Sequence, residues 1–192
     1  MGQDVIGEDL AIGRRFGQVV HVAYLVPDID IAMQDWVRQL GIGPWTCIRD
    51  IELDATYNGE PLTLRLHEAL AYAGTLQIQL VQSLNDLAVP TPYQARVKAG
   101  SWGMHHVAYF SDDVDRDVAA ATKQGFGDVC AMRSADGHRY YYLRAQDSST
   151  EVWIEFLEVF PVLSDLYAQG IAETATWDGT DAIRNLDYSS FA

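Results

Sequence analysis

Residues 18–25 form an uninterrupted apolar, β-branched run, which predicts a strand. Directly after it, Ile29, Met33, Trp36, Val37 and Leu40 recur at helical spacing, with Asp28 as an N-cap and Gly41 as the stop. Three further strands are predicted over 45–53, 62–72 and 75–82, and Ala73-Gly74 is short enough to join the last two as a hairpin. The pattern then restarts. A strand over 103–110 precedes a helix over 113–124 stopped by Gly125, and strands follow near 128–133, 138–144 and 151–158. Beyond Val159 the chain predicts a short amphipathic helix over 162–170 and a polar, mobile end.

The restart is a repeat. His21-Val22-Ala23-Tyr24 recurs as His106-Val107-Ala108-Tyr109, an offset of 85, and Asp28-Ile29-Asp30 answers Asp113-Val114-Asp115. Further on, Ile78-Gln79-Leu80-Val81-Gln82 answers Ile154-Glu155-Phe156-Leu157-Glu158 at an offset of 76, so the first copy carries about nine extra residues between its motifs. The reading is an α+β chain of two βαβββ modules. An N-terminal extension (1–15) precedes the first module (16–82). A linker holding Pro90 and Pro92 (83–101) leads to the second module (102–160), and a C-terminal helix and tail (161–192) follow.

Composition narrows what such a chain binds. Its 192 residues carry 13 Lys and Arg against 27 Asp and Glu, a net charge of −14, while 48% are hydrophobic. A core is affordable on that composition, but nucleic acid and anionic membrane surfaces would be repelled. No stretch approaches the roughly 20 apolar residues of a membrane span, and the first 15 residues lack the order of a signal peptide. Cys47 and Cys130, without metal-type spacing, read as reduced core thiols of a cytoplasmic protein.

The repeat also places chemistry. His21 and His106 occupy matched positions in the opening strands, and Gln79 and Glu155 matched positions in the closing strands. A single His in an apolar strand is more often a hydrogen-bonded core residue than a ligand. Four donors at repeat-equivalent places favour a metal instead. If the copies pair about a pseudo-twofold axis, two imidazoles, a carboxylate and an amide oxygen converge on a divalent ion, with Mn, Co, Ni, Zn and Fe all open. His105 adjoins His106 and so points to the opposite face. With Val20 at the matching place, it reads as structural or as an outer partner of the site. His67 and His138 have no such support.

These motifs, together with Ile42-Gly43-Pro44-Trp45 and Gly103-Met104-His105-His106-Val107-Ala108, resemble the vicinal oxygen chelate superfamily, which includes glyoxalase I, bleomycin-resistance proteins, extradiol dioxygenases and methylmalonyl-CoA epimerase. The pattern is most similar to the methylmalonyl-CoA epimerase-like glyoxalase subgroup over residues 16–160. The resemblance implies an incomplete U-shaped barrel around a metal held by His21, Gln79, His106 and Glu155. It also implies proton removal next to a substrate carbonyl, and a homodimer, because relatives are often dimers.

A base is then required. If Tyr72 pairs with Thr75, Gln79 sits opposite Glu68, and the even-numbered residues from Glu60 to Tyr72 share its face. Glu60 and Glu68 are both candidates. Glu68 lies nearer Gln79, and Glu60 nearer the place where the epimerases carry a catalytic carboxylate. Glu155 is a third, if it leaves the metal during turnover. Arg65 and His67 fall on the other face, and Tyr140-Tyr141-Tyr142 must put aromatics on both.

The function expected is a metal-dependent epimerase or isomerase acting on a small carbonyl compound. A CoA thioester is the substrate the resemblance suggests. CoA is strongly anionic, however, and no basic cluster is evident beyond Arg14-Arg15 and the scattered Arg96 and Lys98, so a neutral or singly charged carbonyl compound stands equal to it. The alternatives are a glyoxalase I-like lyase, an extradiol-type dioxygenase and a non-catalytic small-molecule binding protein.

Overall fold

The computed structural model of the chain describes residues 15–134, 137–148 and 151–186. Nearly all of the N-terminal extension lies outside them. The first module comprises β1 (Val19–Leu25), α1 (Ile29–Leu40), β2 (Trp45–Tyr57), β3 (Glu60–Ala73) and β4 (Leu76–Ser83). A short helix α2 (Gln94–Ala99) interrupts the linker. The second module follows as β5 (Gly103–Ser111), α3 (Val114–Thr122), β6 (Phe126–Arg133), β7 (Arg139–Ala145) and β8 (Trp153–Glu158).

The helix boundaries follow from local chemistry. The Asp28 side chain accepts from Ile31 N–H at 2.9 Å and the Asp113 side chain from Arg116 N–H at 3.0 Å, so both module helices start on an aspartate cap. Gly41 ends α1 in the left-handed conformation, with φ 64°.

Strand pairing repeats between the halves. β1 is parallel to β4 and β5 to β8, while β3–β4 and β7–β8 are antiparallel. The two opening strands, β1 and β5, pair antiparallel at the centre and join the halves. The order β3-β4-β1-β5-β8-β7-β6-β2 curls round, since β2 also pairs with β3. The β2–β6 pairing covers only Asp54–Tyr57 against Arg133–Cys130. The strands therefore form an incomplete ring, joined at one end and open at the other.

Apolar side chains segregate accordingly. One cluster fills the closed end inside the ring, around Leu25, Leu64, Tyr93 and Trp153. A second seats α1 on the outside of the first half, and a third seats α3 on the outside of the second. Cys47 and Cys130 are both buried free thiols.

The tail departs from expectation. Its helix α4 runs from Pro161 to Thr176, longer than the short element predicted, and packs against β3. Part of the polar end expected to be mobile forms β9 (Ile183–Leu186), parallel to the Trp45–Ile48 end of β2, while residues 187–192 lie outside the described residues. Between them the Trp177 ring covers Gly43, where a Cβ would stand 2.7 Å from the indole. Among the described residues no helix is long and apolar enough to cross a membrane.

Candidate metal centre

The central β1–β5 pair and its flanking strand β8 bring three of the four matched positions, His21, His106 and Glu155, to one point inside the ring. His21 Nε2 lies 3.1 Å from His106 Nε2 and 2.9 Å from Glu155 Oε2, and His106 Nε2 lies 3.2 Å from the same oxygen. All three side chains are buried. Donor atoms bound about 2.1 Å from one ion stand roughly 3.0–3.4 Å apart at octahedral or tetrahedral angles, which is the spacing found.

The protonation of both rings follows from their outer hydrogen bonds. Tyr167 on α4 donates its hydroxyl to Gln77 Oε1 at 2.9 Å, so its oxygen accepts from His21 Nδ1–H at 3.1 Å. His105 Nε2 faces the Pro92 carbonyl at 3.3 Å and must donate to it. Burial, then the neighbouring His106, pushes His105 well below the usual histidine range and keeps it neutral. Its Nδ1 therefore accepts from His106 Nδ1–H at 2.9 Å. Both Nε2 atoms are thus left as lone pairs facing one another.

Glu155 Oε2 and Gln79 Oε1 are buried without a well-directed hydrogen bond. Three converging acceptors and an orphaned amide oxygen nearby fit a divalent cation, which would turn their mutual repulsion into ligation.

His105 corrects the parity expectation. Ala23 pairs with His106 but Tyr24 with Met104, so His105 is the extra residue of a β-bulge. The bulge turns its ring beside that of His106, stacked on Trp153 at 5.4 Å between centroids. Simple alternation along a strand cannot foresee this.

The hairpin register is shifted by two from the expected one. Gly74-Thr75 forms the turn, so Gln79 pairs with Leu70 and Glu68 with Val81. An even shift leaves the face unchanged. Glu68 still meets Gln79, accepting from its Nε2 at 2.5 Å. Burial, and then the charge of Glu155, pushes the Glu68 carboxyl up to about 8, against the pull of that hydrogen bond. The structure does not bring Glu60 to the cluster. It starts β3 opposite Tyr57 across the Asn58-Gly59 turn and is exposed.

A cavity of about 580 Å³ opens over the cluster, lined by His21, Glu68, Gln79 and Glu155 at its floor. Tyr140 and Tyr142 line it from the second half, while Tyr141 packs outside against the α3 cluster. Arg65 and His67 do not line it. Arg65 pairs with Glu52 at 2.8 Å, and the His67 ring accepts from Asp50 N–H at 3.0 Å. α4 supplies one whole wall, including Leu163, Leu166 and Tyr167. The sequence signal for that wall was an apolar stripe along the helix, but nothing local showed what it faces.

Residues 20–142 match the family model described as Glyoxalase/Bleomycin resistance protein/Dioxygenase superfamily. No curated protein matches the chain significantly. Among solved structures, a methylmalonyl-CoA epimerase from Mycobacterium tuberculosis is similar at 21% identity and a TM-score of 0.51, covering 77% of this chain and 91% of that one. A variant of the Streptomyces coelicolor methylmalonyl-CoA epimerase in complex with 2-nitronate-propionyl-CoA is similar at 16% identity and a TM-score of 0.52, covering 75% and 98%. A hypothetical protein from Bacillus halodurans C-125 is similar at 17% identity and a TM-score of 0.52, covering 75% and 95%. At these identities the structures speak for the fold.

Proposed function

The chain belongs to the glyoxalase/bleomycin resistance protein/dioxygenase superfamily, and we propose that it acts there as a metal-dependent isomerase or epimerase that moves a proton next to a substrate carbonyl. The observation that carries this reading is the juxtaposition of two unlike features. Lone-pair atoms of His21, His106 and Glu155 lie within 3.2 Å of one another. Glu68, hydrogen-bonded to Gln79, lines the same cavity and takes no part in the cluster.

A divalent cation held by His21, His106, Glu155 and the Gln79 oxygen would supply stabilisation of the oxyanion that forms when a carbonyl loses its α-proton. The protein's own groups do the rest. Glu68 is the base: its carboxylate takes the proton from carbon, the C–H electron pair moves toward the carbonyl oxygen, and the proton later returns to carbon. Gln79 N–H fixes the carboxyl through the 2.5 Å hydrogen bond. A cation two side chains away would draw the Glu68 pKa down from its raised position, toward the range a base needs near neutral pH. The apolar walls limit water around the reacting carbon.

The test is metal analysis of the purified full chain together with deuterium exchange into carbonyl compounds in heavy water. Metal-dependent exchange that vanishes in Glu155→Ala supports the reading. Bound metal with oxygen uptake from catechols and no exchange would replace it with a dioxygenase, which needs only the two histidines and the glutamate.

A further inference from the structure

The cavity above the centre says more than the centre does. Its walls are Ile48, Leu66 and Met132 from the ring, Leu157 beside the floor, and Leu163 and Leu166 from α4. Its charged groups are carboxylic at both depths, with Glu68 and Glu155 at the floor and Glu173 toward the tail. Arg184 is the one lining Arg or Lys among the described residues, and its charge is already matched. It meets Glu173 at 3.1 Å and Asp181 at 3.2 Å. Among the described lining residues a ligand finds no unpaired Lys or Arg for a phosphate, inside a chain whose net charge is already −14.

We infer that the substrate is an uncharged carbonyl compound with an apolar body, lodged between the ring and α4, and not a nucleotide-bearing thioester. The inference rests on the proposed reading only for the carbonyl head; the apolar body follows from the walls. A volume of about 580 Å³ lies within the range of sites that enclose a small organic ligand. Phosphates would be desolvated here without an unpaired Lys or Arg among the described lining residues to receive them, whereas each buried methylene favours binding.

The experiment is calorimetric titration of the metal-loaded full chain with acetohydroxamic, hexanohydroxamic and octanohydroxamic acids, which offer paired oxygens to the cation, and with coenzyme A. Affinity is expected to rise about three- to fourfold per methylene until the cavity is filled, with coenzyme A binding more weakly than the octanoyl probe. Leu166→Asp should shrink the octanoyl-to-acetyl affinity ratio at least tenfold. Val162→Asp, on the same wall, reads the same ratio should the first variant fold poorly. A ratio near one in the unaltered protein, or tighter binding of coenzyme A, overturns the inference.

A metal-free arm separates this from the fate of the enzyme reading. The uncharged dye N-phenyl-1-naphthylamine should brighten with the full chain and lose that gain in Leu166→Asp. Brightening without any cation binding would keep the apolar site and sink the metal-dependent reaction. No brightening, whatever the metal does, counts against the apolar site.

Discussion

The Tyr167 hydroxyl lies 3.1 Å from Nδ1 of His21, so the C-terminal helix reaches a residue of the cluster across 146 positions of sequence. The contact has a direction. Because Tyr167 spends its own proton on Gln77, it can only accept from His21, which leaves Nε2 bare toward Glu155. Tyr167→Phe is expected to weaken metal affinity by roughly 10–100-fold, the usual effect of losing such an outer partner. A competition titration with a chromophoric chelator measures it. Ring nitrogen shifts of His21 in the metal-free protein should show mixed tautomers in the variant, which loss of packing alone would not produce.

Glu68 and Glu155 should separate cleanly. Glu68→Gln keeps an oxygen that accepts from Gln79 but removes the base, so metal content should hold while deuterium exchange falls by about 10²–10⁴-fold. Glu155→Ala should lose both together. Loss of metal in Glu68→Gln would reassign that residue to the cluster itself.

Gly170 lets α4 approach Tyr72 of β3 closely. A Cβ there would run into the Tyr72 ring, which is itself held by a 2.7 Å hydrogen bond from Gln77. Gly170→Ala gains about 1 kcal/mol of helix propensity but overpacks the contact, typically at 1–3 kcal/mol. The expected net result is looser docking of α4. Amide exchange should quicken across Pro161–Thr176 with little change in α1.

Acid should weaken the second half through two ion pairs. Arg139 beside Glu158 holds that carboxyl below the usual range, with contacts of 2.7 Å. For Asp128 burial works the other way, but the Arg144 hydrogen bond at 2.6 Å outweighs it. Depressed carboxylates stabilise fully above their unfolded values, near 3.9 for Asp and 4.3 for Glu, and that contribution is lost as pH falls through the folded values. Melting temperature should therefore be insensitive to these pairs above about pH 5.5 and decline below about pH 4.5. Arg139→Met and Arg144→Met should each flatten the decline, by no more than about 1 kcal/mol per pair given their partial exposure.

How much of this was legible depended on whether local pattern or long-range contact decided the feature. The first strand and helix, bounded by Asp28 and Gly41, follow from spacing and caps. The approach of His21, His106 and Glu155 could be anticipated because a repeat converts sequence position into spatial position. Where one inserted residue changes the outcome, alternation failed: the bulge at His105 reversed its face, although the two-residue shift between β3 and β4 left Glu68 in place. Asn58-Gly59 carries the chemistry of a tight hairpin, with φ of 52° and 86°, and extends β2 and β3 to meet there. α4 and β9 take their places from contacts 90 or more residues away, which no local window holds.

The repeat is unequal in one respect that bears on stereochemistry. Gln79 pairs with Leu70 and Glu155 with Tyr142, and two residues before these stand Glu68 and Tyr140, both lining the cavity. On the proposed reading, the repeat would set a carboxylate on one side of a bound substrate and a phenol on the other. A planar carbanion between them would be reprotonated chiefly from the side that released the proton. Label should therefore wash into a chiral substrate faster than its configuration inverts.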